Sequence, residues 1–228
     1  MQLKTGNGEE CKIGRRSFLV LAGGAISAIS LGSVPLAGCS HAGAIEFPES
    51  KCGGKTKTDK KVLVAYGSKY GSTGGVADAI GKELCNRGAA VDVCLVKNVG
   101  DLNPYRGVVV GSAIYMGKWM PEAVDFVQKN RGVLGQIPVV YFLVCMTMRD
   151  PTQENRRKVL AYLDPVLKEV PQVKPVEIGT FAGALDYSNL SVPNKMIMKV
   201  KGAPEGDFRQ WDVIRAWATR LHEIPGLG

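Results

Sequence analysis

The sequence predicts an α/β fold, a doubly wound parallel sheet with helices on both faces, on three observations. Runs such as Val108-Val109-Val110 and Val139-Val140-Tyr141-Phe142-Leu143-Val144 have no polar interruption, as expected of strands covered on both faces. Segments with apolar residues at helical spacing alternate with such runs from residue 61 to 221. The first strand passes directly into a loop of glycine and hydroxyl residues and then into a helix.

The elements follow in order. Val62 to Tyr66 is a short β-branched and aromatic run, and Val76, Ala77, Ile80 and Leu84 repeat at helical spacing behind it. This reading places strands at 61–66, 90–96, 107–113, 137–144 and 173–181, and helices at 73–87, 121–131, 153–168 and 208–221. Right-handed crossovers between parallel strands complete the doubly wound arrangement. Ligands of such sheets lie beyond the carboxyl ends of the strands at the switch point, here beside strands one, three and four.

Strand one ends in Ser68-Lys69-Tyr70-Gly71-Ser72-Thr73. Its hydroxyls, and backbone N–H groups turned inward at the glycines, face the positive end of the next helix, which suits a phosphate monoester. The spacing matches neither GxxxxGK[ST] nor GxGxxG. Strand three ends in Ser112-Ala113-Ile114-Tyr115-Met116-Gly117, followed by Lys118 and Trp119. Tyr115 or Trp119 can stack on a flat ring there, with Met116 as an adaptable neighbour. Strand four ends in Cys145-Met146-Thr147-Met148-Arg149, whose backbone can meet a ring edge. Arg149 is open to two roles, opposing negative charge on such a ring or pairing with Asp150.

An address precedes this domain. Gly14-Arg15-Arg16-Ser17-Phe18-Leu19 is a twin-arginine motif, an uncharged apolar run continues to Ala37, and Leu36-Ala37-Gly38-Cys39 reads as a lipobox with Cys39 as the lipidated residue. The run is also long enough for a retained transmembrane helix. The expectation is a twin-arginine lipoprotein signal over 1–38, a flexible Gly-, Lys- and Thr-rich tether over 39–60, and one folded domain over 61–224. The protein is then exported and lipid-anchored at the outer face of a bacterial cytoplasmic membrane or in the periplasm. The twin-arginine route carries folded proteins, which suits a noncovalent cofactor inserted before export.

Composition narrows the function. Of 29 basic and 21 acidic side chains in 228 residues, 25 and 19 remain beyond residue 38, a net charge of +6. The basic residues are scattered without an aromatic platform, so no nucleic-acid partner is expected. With His41 and His222 the only histidines and no CxxC, no metal site is expected. Cys52 falls in the tether, and Cys85 and Cys94 read as small core residues, with a Cys85–Cys94 disulfide open outside the cytoplasm.

The loop 68–73 resembles the flavodoxin phosphate loop, and the element order resembles the flavodoxin fold: five parallel strands in the order 2-1-3-4-5, here with an insertion before the last helix. Phe181-Ala182-Gly183-Ala184-Leu185-Asp186-Tyr187, the Met-rich stretch 194–202 and Asp207 to Ala218 resemble the C-terminal part of the menaquinone-dependent protoporphyrinogen IX dehydrogenases. This resemblance covers residues 61–221. It implies FMN as cofactor, held by the three strand-end segments, a protoporphyrinogen or other small reduced donor, and a quinone acceptor at a membrane. It names no acid or base, since the flavin carries the redox chemistry. The alternative within the same fold is an electron carrier without its own substrate. In the insertion, Met196, Ile197, Met198 and Val200 alternate with Lys195, Lys199 and Lys201, a basic apolar pattern suited to a membrane surface or to porphyrin propionates.

Overall fold

A computed structural model describes residues 45–53 and 61–228. The expected signal over 1–38 and Cys39 lie outside the described residues. Among the described residues, no helix is long and apolar enough to cross a membrane.

The chain begins with β1 (Ser50–Cys52), then β2 (Lys61–Gly67), α1 (Ser72–Asn86), β3 (Val91–Leu95) and β4 (Tyr105–Tyr115). A short β5 (Lys118–Trp119), α2 (Pro121–Lys129), α3 (Arg131–Leu134), β6 (Val139–Val144), α4 (Gln153–Ala161), α5 (Asp164–Glu169) and β7 (Glu177–Phe181) follow. The insertion carries β8 (Ala184–Leu185), α6 (Val192–Val200) and β9 (Gly206–Asp207), and α7 (Trp211–Leu221) closes the fold.

The sheet runs β1-β3-β2-β4-β6-β7. Its five parallel strands therefore stand in the anticipated order, with β2 between β3 and β4 in register Val64↔Val93 and Val64↔Val109. Alternation along each strand divides the core in two. Leu63, Ala65, Val108, Val110, Tyr141 and Leu143 pack under α2, α4 and α5. Val62, Val64, Val109, Val140 and Phe142 pack under α1 and α7, with Ile80, Leu84, Ile214 and Trp217. Each layer buries uninterrupted apolar surface, the favourable term that closes this fold. A Cβ on Gly111 would run into the ring of Phe142, its cross-strand partner, so the strand beneath the site keeps a glycine under that ring.

Several boundaries differ from expectation. Residues 45–53 are not part of a free tether: β1 pairs antiparallel with β3, Ser50 opposite Val93, and Tyr66 donates its hydroxyl to Pro48 O at 2.9 Å. Glu49 Oε1 accepts from Leu95 N at 3.0 Å and Asn98 Nδ2 at 2.8 Å, which fixes the same segment. The single helix over 153–168 is two, because Pro165 ends the first and starts the second.

The cysteine pairing also differs. Cys52 of β1 and Cys85 of α1 form a disulfide between described residues, and Cys94 lies in the other core layer, not bonded to Cys85. Val91 and Val93 face α1, so Cys94, one residue on, points to the other side of the sheet, away from Cys85.

Candidate functional site

β2 delivers Ser68 to the carboxyl edge of the sheet, where it is 8% exposed, and α1 begins three residues past Lys69. Gly71 turns the chain with φ +80°, a left-handed conformation that glycine adopts without Cβ strain. Its carbonyl accepts from Gly74 N and Gly75 N, and the first turn of α1 holds neither an acidic residue nor a side-chain cap. The positive end of the helix therefore faces the loop uncompensated.

Two hydroxyls carry the reading further. Ser68 Oγ and Thr73 Oγ1 are buried and make no hydrogen bond among the described residues. Buried hydroxyls without partners cost stability, about 1–3 kcal/mol each. Placed at both ends of a glycine turn against an uncapped helix start, they fit a bound phosphate that accepts from them.

Beyond the loop, a cleft of about 100 Å³ is lined by Ser68, Lys69, Tyr70 and Ser72, by Ala113, Ile114 and Tyr115 from the end of β4, and by Val144 and Met146 after β6. The insertion completes it with Gly183, Leu190, Asn194 and Met198. Three strand ends thus converge, as the switch point requires. Lys69 Nζ stands 3.9 Å from the Tyr115 ring centroid and 5.6 Å from that of Tyr70. Its hydrogen bond to the Tyr115 phenol pushes the Lys69 ammonium up and the Tyr115 hydroxyl down from their ordinary values. Tyr115 donates to Asn194 Oδ1 at 3.1 Å, and Asn194 Nδ2 donates to Tyr70 at 2.7 Å.

A second cavity of about 360 Å³ lies on the other side of Tyr70 and Leu190, bounded by Ile45, Glu46, Gly71, Gly75, Asp186 and Arg209. Tyr70, Ser72, Ala184, Leu185 and Leu190 border both spaces. Arg209 is clamped by Asp207, with Nε to Oδ1 at 2.8 Å and Nη2 to Oδ2 at 2.7 Å, and its ring neighbour is Trp211 at 4.4 Å. That pairing holds the Asp207 carboxyl below its ordinary range.

Not every sequence-predicted residue reaches the cleft. Ser112 is fully buried, donates to Ala113 O at 2.8 Å and accepts from Met120 N at 2.8 Å, so it locks the β4–β5 hairpin instead. Met116, at φ +51°, is 77% exposed at the hairpin tip, and Gly117 lies against Tyr162. Trp119 is edge-on to Tyr141 at 5.1 Å within the core, so of the two rings at the end of β4 only Tyr115 lines the cleft. Cys145 and Thr147 contact one another at 3.4 Å beside it, Met148 is core, and Arg149 pairs with Asp150 at 3.1 Å. Sequence reading missed Gly183, Asn194 and Arg209. Among the described residues no cluster of His, Cys, Asp or Glu could hold a metal ion.

A parallel α/β sheet with a phosphate cradle at its switch point defines a mononucleotide-binding protein. The flavodoxin domain family model matches residues 63–209, nearly two thirds of the chain. The chain belongs to the flavodoxin-domain family, and FMN is the cofactor that this membership indicates. A flavodoxin from the domain Archaea is similar at 16% identity, over 72% of this chain and 96% of that one, with a TM-score of 0.46. The two-electron reduced Megasphaera elsdenii flavodoxin is similar at 13% identity, over 70% and 98%, with a TM-score of 0.44. The rubredoxin oxygen:oxidoreductase of Desulfovibrio gigas is similar at 16% identity, over 72% of this chain and 36% of that one, with a TM-score of 0.40. Comparison with curated proteins returned no match.

Proposed function

We propose that this flavoprotein is a membrane-anchored, FMN-dependent oxidoreductase of the menaquinone-dependent protoporphyrinogen IX dehydrogenase type. It oxidises protoporphyrinogen or another small reduced donor and passes the electrons to a quinone. Residues 1–38 direct export by the twin-arginine route, and a lipid on Cys39 holds the protein at the membrane.

The observation that carries the enzyme reading is the insertion. A carrier exchanging single electrons needs an open flavin edge, whereas here Asn194 and Met198 of α6, with Leu190, roof the cleft. A roof excludes water and gives an organic donor a wall to lie against. The Cys52–Cys85 disulfide supports the exported placement, because such bonds persist in oxidising compartments.

The FMN ring supplies two-electron acceptance from the donor and return of those electrons to the quinone. The protein's own residues orient and enclose. Ser68 and Thr73 would hold the phosphate with their unpartnered hydroxyls, and Tyr115, with Lys69 over its ring, and Met198 line the cleft where the ring would lie. Conversion of protoporphyrinogen to protoporphyrin removes six electrons and six protons, so three quinones are reduced to three quinols per porphyrin formed.

The test is anaerobic turnover by the full chain loaded with FMN, with protoporphyrinogen as donor and a menaquinone as acceptor. Quinol and porphyrin should form at three to one, and Met198→Ala should slow turnover while FMN stays bound. FMN-loaded protein that exchanges electrons with one-electron partners but oxidises no porphyrinogen overturns the reading in favour of a carrier.

A further inference from the structure

Helix α6 exposes an apolar stripe that the fold leaves uncovered. Val192, Met196 and Val200 stand four residues apart on one face, exposed by 73%, 65% and 87%, with Ile197 at 40% beside them. Half of the eight exposed large apolar side chains among the described residues belong to this one helix, and Met116 is a fifth, next to Tyr115, which bonds α6 through Asn194.

The stripe is rimmed by cations. Lys195, Lys199 and Lys201 lie in and just after the helix, the segment holds no acidic residue, and none of the three forms an ion pair among the described residues. Apolar residues on one face with lysines at its edges match the interior and headgroups of an anionic bilayer surface.

The course of the chain gives an independent argument. Ile45 and Glu46 border the same cavity as Asp186, Asn189 and Leu190, the residues that lead into α6. Cys39 precedes Ile45 by six residues, which span at most about 20 Å when extended. An anchor at Cys39 therefore holds the α6 side of the domain within reach of the bilayer.

We propose that α6 is a second membrane contact: its Val192–Met196–Val200 face lies in the interface of an anionic bilayer, with Lys195, Lys199 and Lys201 on lipid phosphates. The inner face of the same helix bears Asn194 and Met198 on the cleft, so docking sets the cleft directly above the lipid, where a quinone resides. The quinone clause and the reach from Cys39 rest on the function proposed above; the apolar stripe and its lysines do not.

The experiment is hydrogen exchange of the full chain reconstituted in phosphatidylcholine vesicles and in vesicles containing phosphatidylglycerol. The peptide over 192–201 should exchange at least about tenfold more slowly on the anionic vesicles, and Lys195→Gln/Lys199→Gln/Lys201→Gln should remove that protection, at roughly fivefold in affinity per lysine. Vesicle flotation separates the two contacts: protein that leaves the phosphatidylcholine vesicles but stays on the anionic ones lacks the Cys39 anchor and is held by α6, whereas protein that leaves both overturns the proposal. Exchange over 192–201 that is the same on both vesicles overturns the proposal. Protection produced by a dicarboxylate porphyrin without vesicles also overturns it, and gives the face to the donor instead.

Discussion

Asn194 joins Tyr70 and Tyr115: it accepts from one phenol at 3.1 Å and donates to the other at 2.7 Å. One side chain from the insertion thereby ties the phosphate loop to the end of β4 across the mouth of the cleft. Tyr70 also borders the larger cavity behind it. Pockets for ligands of drug size are about 300–1,000 Å³, so a cleft of about 100 Å³ must gain space from its neighbour to take a flavin ring.

Asn194→Ala should therefore admit FMN faster. Each hydrogen bond released is worth about 0.5–1.5 kcal/mol, which corresponds to an association rate roughly 2- to 10-fold higher if the tie must break first. Stopped-flow flavin fluorescence quenching measures it, and an unchanged rate would mean that the tie does not limit entry.

Ser68→Ala and Thr73→Ala should each weaken FMN by about 1.5–3 kcal/mol, roughly 10- to 100-fold, because a hydrogen bond to a charged phosphate is lost. Riboflavin, which lacks the phosphate, should bind both variants as it binds the parent. Without flavin, both variants should be as stable as the parent or more so, since each removes a buried hydroxyl that has no partner. Titration calorimetry and thermal unfolding test the two halves.

Cys52→Ala with Cys85→Ala should cost about 3–4 kcal/mol, the loop-closure estimate for residues separated by 33 positions. Because β1 is an edge strand of three residues, its pairing with β3 should be the first structure lost. Denaturant unfolding with and without reductant reports the cost, and hydrogen exchange at 91–95 reports the place.

Asp207→Asn should lower stability at neutral pH by no more than about 1 kcal/mol, because the carboxylate is 43% exposed. The sign follows from the depressed carboxyl: its contribution is fully present above the unfolded value near 4 and is lost as pH falls through the lower folded value. Parent and variant should begin to converge in acid unfolding as pH falls below about 4, and meet below the lower folded value.

The parallel sheet was legible because its strands are unbroken apolar runs, and the cradle because glycine and hydroxyls follow a strand and precede a helix. Strand β1 was not: Ser50-Lys51-Cys52 has no apolar run, and an edge strand of three residues is defined by its partner rather than by its own pattern. The Cys52–Cys85 pairing was hidden by the same omission, although the opposite parity of Val93 and Cys94 already argued against a Cys85–Cys94 bond. Ser112 looked like a site residue because its hydrogen bond to Met120 depends on a hairpin that the sequence does not announce. Helix α6 did leave a signal, Pro193 in its first turn and apolar residues at 192, 196 and 200, beneath its lysine alternation.

The claim on which the rest stands is that the loop 68–73 holds the phosphate of FMN. Titrating the flavin-free full chain with FMN and with riboflavin tests it most directly. This account expects FMN to bind at least about 100-fold more tightly, the worth of two charged hydrogen bonds and a helix terminus. Equal affinities, or a protein that binds neither flavin, would contradict it.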